Sequence, residues 1–158
     1  MKIVKAIVNV LTTIIIGVGG LILVLYLFGI VPYVVLSGSM EPTIDTGSLF
    51  FINKNSKYED VKEKDIIAFK LSDGTLVTHR AIKVDNSGII TKGDNNDDVD
   101  SNIVKKDNFV GKNIFWIPKV GYAIKAFQTT SGKIIIITSI VLLLVFGFLF
   151  GEDKKKEK

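Results

Sequence analysis

Residues 75–84 read Thr-Leu-Val-Thr-His-Arg-Ala-Ile-Lys-Val, and this stretch indicates how the central part of the chain folds. Successive side chains of an extended strand point to opposite faces, so Val77, His79 and Ala81 share one face. The turn residues Asp73 and Gly74 precede the stretch, as is typical of a strand that follows a tight turn. The only histidine of the chain is therefore predicted to lie on a strand, with a defined direction.

Other short apolar runs lie on both sides of this stretch and are separated by turn residues. They cover residues 48–52, 66–69, 88–92 and 110–117, and the runs within the stretch itself are residues 75–78 and 81–84. Runs of this length and composition are typical of strands. We therefore predict a mainly β, mostly antiparallel domain over residues 32–133. The charge-rich segment 54–64 is predicted to be a solvated loop.

Two longer apolar stretches flank this domain. A helix over residues 7–31 would cross the hydrocarbon core of a bilayer, which is roughly 30 Å thick. A helix over residues 134–150 would reach roughly 25 Å at about 1.5 Å per residue, which suffices if the bilayer thins locally. The sequence thus predicts an N-terminal transmembrane anchor (1–31), a C-terminal transmembrane helix (134–151) and a basic tail (152–158).

Lysines precede the first apolar stretch and follow the second, which places both termini in the cytoplasm by the positive-inside rule. The predicted protein is multi-pass in the cell membrane, with its central domain on the extracytoplasmic side. A cleaved secretory signal is the main alternative for the first stretch. That stretch exceeds the usual apolar region of about 7–15 residues and no small-x-small site follows it, so retention is favoured.

The composition limits the chemistry that the domain could perform. The chain has no cysteine, which excludes disulfides, thiol nucleophiles and cysteine-based zinc sites. The net charge is +4, and four lysines lie together at the C-terminus beside an apolar segment. This pattern favours a lipid bilayer over a nucleic acid as the partner. We expect no cofactor and no metal, and the sequence leaves the oligomeric state undefined.

A candidate nucleophile lies in the sequence Ser37-Gly38-Ser39-Met40-Glu41-Pro42, just after the first apolar stretch. A serine attacks a carbonyl only when a base takes its proton and donors hold the oxyanion. Glycine before Ser39 permits a tight backbone approach, although Ser-Gly-Ser taken alone is most often a plain loop. His79 is the one ordinary histidine base available to Ser39.

An acidic segment over residues 93–100 could supply the third member of a catalytic triad. Sequence spacing does not choose among its four carboxylates, which are Asp94, Asp97, Asp98 and Asp100. A solvated acidic turn would explain the same composition.

Calcium binding is a competing interpretation, because Asp94, Asn96 and Asp98 match the first ligands of an EF-hand loop. Val99 stands where that loop requires glycine, and Lys105 stands where it requires the bidentate glutamate. Both departures argue against calcium.

Four blocks in order make the chain resemble a type I signal peptidase, in the endoplasmic-reticulum and archaeal branch that includes the SipW-like enzymes. The blocks are residues 37–43 after the anchor, Thr78-His79-Arg80, residues 91–96 with Asp100, and residues 117–122. The resemblance covers nearly the whole chain.

The resemblance implies a membrane-bound serine endopeptidase that removes N-terminal signal peptides from exported preproteins. It implies Ser39 as nucleophile and His79 as base, at the position where most bacterial and organellar members of the family carry lysine. Asp100, six residues after Asp94, becomes the first candidate for the third catalytic residue, with Asp94 also important. Ser37 and the backbone N–H of Ser39 would form the oxyanion hole.

The resemblance further implies a catalytic domain of coiled antiparallel sheets, an apolar binding surface near the bilayer, and cleavage after small residues at −1 and −3. A catalytically inactive membrane scaffold that binds exported proteins is the alternative. A self-cleaving repressor-like peptidase needs a lysine base and usually a DNA-binding domain, for which no residues remain.

Overall fold

The computed structural model describes residues 2–150 of the chain. These residues fall into two units, one comprising Gly20–Tyr122 and the other the residues before Gly20 and after Tyr122. The elements are α1 Lys2–Leu27, β1 Ile30–Val34, β2 Leu49–Asn53, β3 Ile66–Lys70, β4 Leu76–Asp85, β5 Gly88–Lys92, β6 Phe109–Ile117, α2 Val120–Gln128 and α3 Thr130–Phe150, with a 3₁₀ turn at Tyr58–Asp60.

The six strands form a single sheet in the order β1-β2-β6-β3-β4-β5, and every pairing is antiparallel. The predicted mainly antiparallel β domain is therefore confirmed. In the pairing of β3 with β4, His79 stands opposite Ile67. In the pairing of β4 with β5, Ala81 stands opposite Thr91. The coiled form of the sheet expected from the resemblance stays a prediction.

Side chains pack on both faces of the central strand β3, as its unbroken run of buried residues requires. One face carries a cluster of Val61, Ile67, Phe69, Ala81, Ile89 and Val104. The other carries Phe50, Ile52 and Ala68, with Leu76 and Trp116 packed against them. Val61 lies in the segment that was predicted to be a solvated loop, and its side chain is buried instead because the chain folds back over the first cluster.

The N-terminal helix α1 is the one helix within residues 2–150 that is long and apolar enough to cross a membrane. The qualifying part is Ala6–Leu27, with a mean hydropathy of 2.5 and no residue of that window buried. The helix ends at Leu27 and not at residue 31, because Gly29 takes a left-handed conformation with φ of 73°. The apolar residues that follow pair with β2 as a strand.

Residues 120–150 form two helices, of which sequence analysis predicted the second. Helix α3 begins at Thr130 and not at residue 134, since the Thr129 hydroxyl accepts a hydrogen bond from the Gly132 amide (3.0 Å) and caps the first turn. Among the residues of α3 whose side chains the structure describes, the apolar segment is Thr130–Leu142, and this part alone is shorter than a membrane span. A second transmembrane helix stays a prediction, and residue 151 and the basic tail lie outside the described residues.

Candidate active site

The loop that carries Ser39 follows β1 and is tied together by Glu41. The Glu41 amide donates to the Gly38 carbonyl (3.0 Å), and the Glu41 carboxylate accepts from the amide and the hydroxyl of Thr46 (3.1 and 2.8 Å). These bonds hold the pKa of Glu41 below its ordinary value, the backbone bond contributing most. A Cβ on Gly38 would lie 3.1 Å from the Glu41 carboxyl carbon, so glycine at position 38 lets the Glu41 side chain lie close to the backbone of the loop.

His79 lies on β4 with its side chain on the same face as the first core cluster. Only 7% of the residue is exposed, and its ring packs edge-on to Phe69 with 6.2 Å between the ring centres. Its Nε2 lies 3.1 Å from Ser39 Oγ. The two groups predicted to be nucleophile and base are thus within hydrogen-bonding distance, although 40 positions separate them in the chain.

The other ring nitrogen of His79 meets Asp100, because Nδ1 lies 2.6 Å from Asp100 Oδ2. An ionised carboxylate only accepts hydrogen bonds, so this contact requires the proton of a neutral imidazole to be on Nδ1. Nε2 is then free to accept the hydroxyl hydrogen of Ser39. Ser39, His79 and Asp100 form a continuous line of hydrogen bonds with the geometry of a catalytic triad.

Asp100 is held in turn by Thr91 on β5. The Thr91 hydroxyl donates to Asp100 Oδ2 (2.6 Å), and the Asp100 amide donates to the Thr91 carbonyl (2.7 Å). Thr91 itself is completely buried.

Asp94 has a different set of partners, since both of its oxygens bind Arg80. Arg80 Nε lies 2.8 Å from Oδ1 and Nη2 lies 2.6 Å from Oδ2. The guanidinium holds the pKa of Asp94 below its ordinary value, and Asp94 raises the pKa of Arg80. Arg80 also donates to the Lys64 carbonyl and lies 3.4 Å from the hydroxyl of Thr43. Among the four aspartates, Asp100 faces the imidazole and Asp94 anchors the neighbouring arginine.

The loop after β5 also contacts the backbone of Ser39. The Asn95 amide donates to the Ser39 carbonyl (2.9 Å). A Cβ on Gly93 would lie 2.5 Å from that carbonyl oxygen, so glycine allows the two backbones to approach. The Arg80–Asp94 pair therefore joins β4, which carries His79, to the loop after β5, and that loop contacts the backbone of Ser39.

Ser37 lies at the mouth of the site, with its Oγ 3.4 Å from Ser39 Oγ. In the part of the chain that the structure describes, the Ser39 amide donates to no protein acceptor. Both groups predicted to form the oxyanion hole therefore lie close to the Ser39 hydroxyl.

The acidic loop does not gather its carboxylates around a common point. Within residues 2–150, no three His, Asp or Glu side chains are arranged to hold a metal ion. Asp94, the first ligand of the calcium alternative, has both oxygens engaged by Arg80. The described geometry therefore gives calcium no support.

A groove of about 640 Å³ opens at Ser39 and His79. One wall is the end of β1 and the residues after it, from Tyr33 to Ser37, and the other runs from Thr75 to His79. Met40 and Phe50 also line it, so most of its surface is apolar.

Sequence reasoning did not assign roles to Arg80, Thr91 and Asn95, which support the three central groups. Thr91 carried two signals in the sequence, its place at the start of the block 91–96 and its place in β5. It shares a face with Ile89, where the alternation of the strand calls for an apolar residue.

The comparison with known proteins supports the resemblance over the first three of the four sequence blocks. The family described as Signal peptidase, peptidase S26, matches residues 4–106. Signal peptidase I W of Bacillus subtilis (strain 168) is 39% identical over 85 residues, which cover 51% of this chain and 45% of that protein. The signal peptidase complex catalytic subunit SEC11C of Homo sapiens is 38% identical over 101 residues, covering 56% and 52%.

A third relative is the signal peptidase complex catalytic subunit sec11 of Sclerotinia sclerotiorum, 32% identical over 101 residues that cover 56% of this chain and 59% of that protein. The chain spans about half the length of the curated relatives it matches. The family match extends from the N-terminal helix through both Ser39 and His79 to beyond Asp100, and the resemblance predicted from the sequence is confirmed. This chain belongs to the signal peptidase family, peptidase S26.

Proposed function

We propose that the chain is a membrane-bound serine endopeptidase that removes N-terminal signal peptides from exported preproteins. The observation that carries this proposal is the hydrogen-bonded line from Ser39 Oγ through the His79 ring to Asp100, at the edge of an apolar groove. In this proposal Ser39 is the nucleophile, His79 the general base, and Asp100 the group that orients the imidazole.

The first chemical step is the attack of Ser39 Oγ on the carbonyl carbon of the residue at −1. His79 Nε2 takes the hydroxyl proton as the new carbon–oxygen bond forms. The imidazolium that results carries its positive charge beside the Asp100 carboxylate, which stabilises it. His79 then gives the proton to the leaving amine as the peptide bond breaks, and an acyl-enzyme on Ser39 remains.

The tetrahedral intermediate of that step carries a negative oxygen that needs donors. The Ser39 amide and the Ser37 hydroxyl are the proposed donors, in agreement with their position beside Oγ. Water then attacks the acyl-enzyme while His79 takes one of its protons. Collapse of the second intermediate returns the proton to Ser39 and releases the signal peptide.

The groove suits a substrate in extended conformation. β5 pairs with residues 80–85 of β4, so the outer edge of Leu76–His79 has no strand partner among residues 2–150. β1 is an edge strand of the sheet, and the chain that continues from it lines the opposite wall. Two unpaired backbone edges can bind a peptide strand by β-augmentation, and this supports the proposal. The preference for small residues at −1 and −3 is proposed from the family resemblance.

We place the catalytic domain on the extracytoplasmic side, with α1 as a transmembrane anchor and both termini in the cytoplasm. The apolar surface of Ala6–Leu27 supports the anchor. A preprotein also holds its apolar segment in the bilayer, so enzyme and cleavage site would share a thin layer at high effective concentration.

The proposal is tested by cleavage of a model preprotein in membranes that contain no other signal peptidase. Wild-type chain, Ser39→Ala and His79→Ala are compared at equal abundance, and the product is identified by N-terminal sequencing. We expect a single new N-terminus with the wild type and loss of cleavage with both variants. Processing by Ser39→Ala would refute the assignment of the nucleophile.

The alternative of an inactive scaffold makes a different prediction in the same experiment. A scaffold would leave the preprotein intact in membranes that contain the wild-type chain, while the preprotein still co-purified with that chain. Thermal denaturation of each variant shows whether lost cleavage results from lost chemistry or from lost folding.

A further inference from the structure

The Thr91 hydroxyl contacts the candidate triad at Asp100, and the proposed mechanism gives Thr91 no role. Its hydroxyl and the His79 Nδ1–H group meet the same oxygen, Oδ2 of Asp100, each at 2.6 Å. A distance of 2.6 Å is usual for a hydroxyl bound to a carboxylate and short for a ring N–H bound to one. Hydrogen bonds to a carboxylate are stronger than bonds between neutral groups. Asp100 Oδ2 is thus fixed from two directions.

The backbone of Thr91 makes a second contact with the same residue, because its carbonyl accepts the Asp100 amide at 2.7 Å. The carbonyl fixes the main chain of Asp100, and the hydroxyl fixes the rotation of its carboxylate. Residues 92–99, which lie between Thr91 and Asp100 in the chain, leave β5 and return to it. The two hydrogen bonds between Thr91 and Asp100 therefore close this loop.

The surroundings of Thr91 make it a rigid support. It is completely buried and stands opposite Ala81 on β4, whose small side chain leaves room for the threonine. A buried β-branched side chain has few rotamers, so its hydroxyl direction costs little entropy to maintain. The Thr91 side chain is excluded from solvent and does not line the groove.

We propose that Thr91 is a positioning residue for the reaction, which holds the Asp100 carboxylate so that His79 keeps its proton on Nδ1 and presents Nε2 to Ser39. The proposal rests on the proposed function for its kinetic consequence, but its hydrogen bonds can be observed without any substrate. Thr91→Val removes the hydroxyl and keeps the shape. We expect kcat to fall about ten-fold with KM unchanged, because the residue contacts the acid and not the substrate.

Rescue and control variants separate positioning from general stability. Thr91→Ser retains the hydroxyl and should keep most of the wild-type kcat, although it loses a buried methyl group and some stability. Ser48→Ala is the matched control, since Ser48 is also completely buried but its hydroxyl has no hydrogen-bond partner in the described part of the chain. We expect the Ser48→Ala kcat to equal that of the wild type.

The single histidine allows a direct test by NMR of the full chain in detergent micelles, labelled with ¹⁵N-histidine. Every imidazole signal then comes from His79. In the wild type we expect a low-field Nδ1 proton and one dominant tautomer; in Thr91→Val that proton should move to higher field and the tautomers should mix, while Thr91→Ser should resemble the wild type.

Unchanged His79 signals and unchanged kcat in a folded Thr91→Val protein would overturn the proposal. If Thr91→Val does not fold, Thr91→Cys replaces the hydroxyl by a weaker donor of similar size, and the same outcomes apply to it. A wild-type chain that fails to cleave any preprotein would contradict the proposed function, whereas the NMR comparison would still decide the role of Thr91.

Discussion

Replacing Asp100 by asparagine tests the electrostatic part of the site while leaving its shape nearly unchanged. The Thr91 hydroxyl and the His79 Nδ1–H both need an acceptor at the Oδ2 position, so the introduced side-chain amide should place its oxygen there. The imidazole then keeps its direction towards Ser39. What is lost is the negative charge beside the imidazolium that forms during attack.

The size of that loss follows from the distance and the burial. Two unit charges about 4 Å apart interact with about 4 kcal/mol at an effective dielectric constant of about 20, a value suited to partly buried pairs. His79 and Asp100 qualify, with side chains 9% and 19% exposed. At about 1.4 kcal/mol for each ten-fold change in rate, Asp100→Asn should lower kcat roughly a thousand-fold.

The assay is single-turnover cleavage of a preprotein by purified variants in detergent, with thermal denaturation as the check on folding. Asp98→Asn is the matched control, because it makes the same chemical change on an exposed side chain two positions away. We expect its rate to stay within about two-fold of the wild type, since surface changes of this kind have small effects. An Asp100→Asn rate within about ten-fold of the wild type, in a folded protein, would refute the electrostatic reasoning.

Three further predictions concern the supports of the site. Asp94→Asn should keep one of the two hydrogen bonds to Arg80 and cost about 1–2 kcal/mol of stability, measured by urea denaturation. Because the folded-state pKa of Asp94 is lowered, its contribution is present above about pH 4 and is lost as the pH falls further. The acid-induced loss of stability should therefore be shallower in Asp94→Asn than in the wild type; equal slopes would contradict this. Gly93→Ala would place a Cβ 2.5 Å from the Ser39 carbonyl oxygen, so we expect at least a roughly ten-fold lower kcat in a protein that still folds. An unchanged kcat would show that cleavage does not depend on the close approach of the Gly93 and Ser39 backbones. Gly47→Ala combines a left-handed φ of 80° with a clash 2.2 Å from the Tyr122 ring, and its melting temperature should fall clearly below that of the wild type; an unchanged value would contradict the clash.

The strands of the domain were predictable from sequence where turn residues bound them on both sides. β5 lies at residues 88–92 as predicted, because a turn precedes it and Gly93 follows it. β1 was missed because its apolar residues continue the apolar run of α1. Composition cannot separate the end of an apolar helix from an apolar strand, and what separates them here is the conformation of Gly29 together with the pairing to β2.

The candidate site was predictable in its residue types but not in all of its pairings. Ser39 and His79 could be paired because the chain offers a single histidine. The family resemblance put Asp100 before Asp94, but spacing alone did not choose between them. That choice depends on which carboxylate Arg80 binds, and the contact arises from strand register, which local sequence does not encode. The role of Thr91 could not be predicted for the same reason, since it depends on the return of the loop to β5.

The junction between α1 and β1 consists of Phe28 and Gly29 alone, and both are fastened to the turn after β2. The Asn55 side chain donates to the Phe28 carbonyl (3.0 Å), and the Lys54 amide donates to the Gly29 carbonyl (2.8 Å). These two hydrogen bonds fix the backbone of Phe28 and Gly29 against the turn after β2. If α1 is seated in lipid and Ser39 cleaves as proposed, each extra residue inserted into this joint should shift the position at which a passing preprotein is cut.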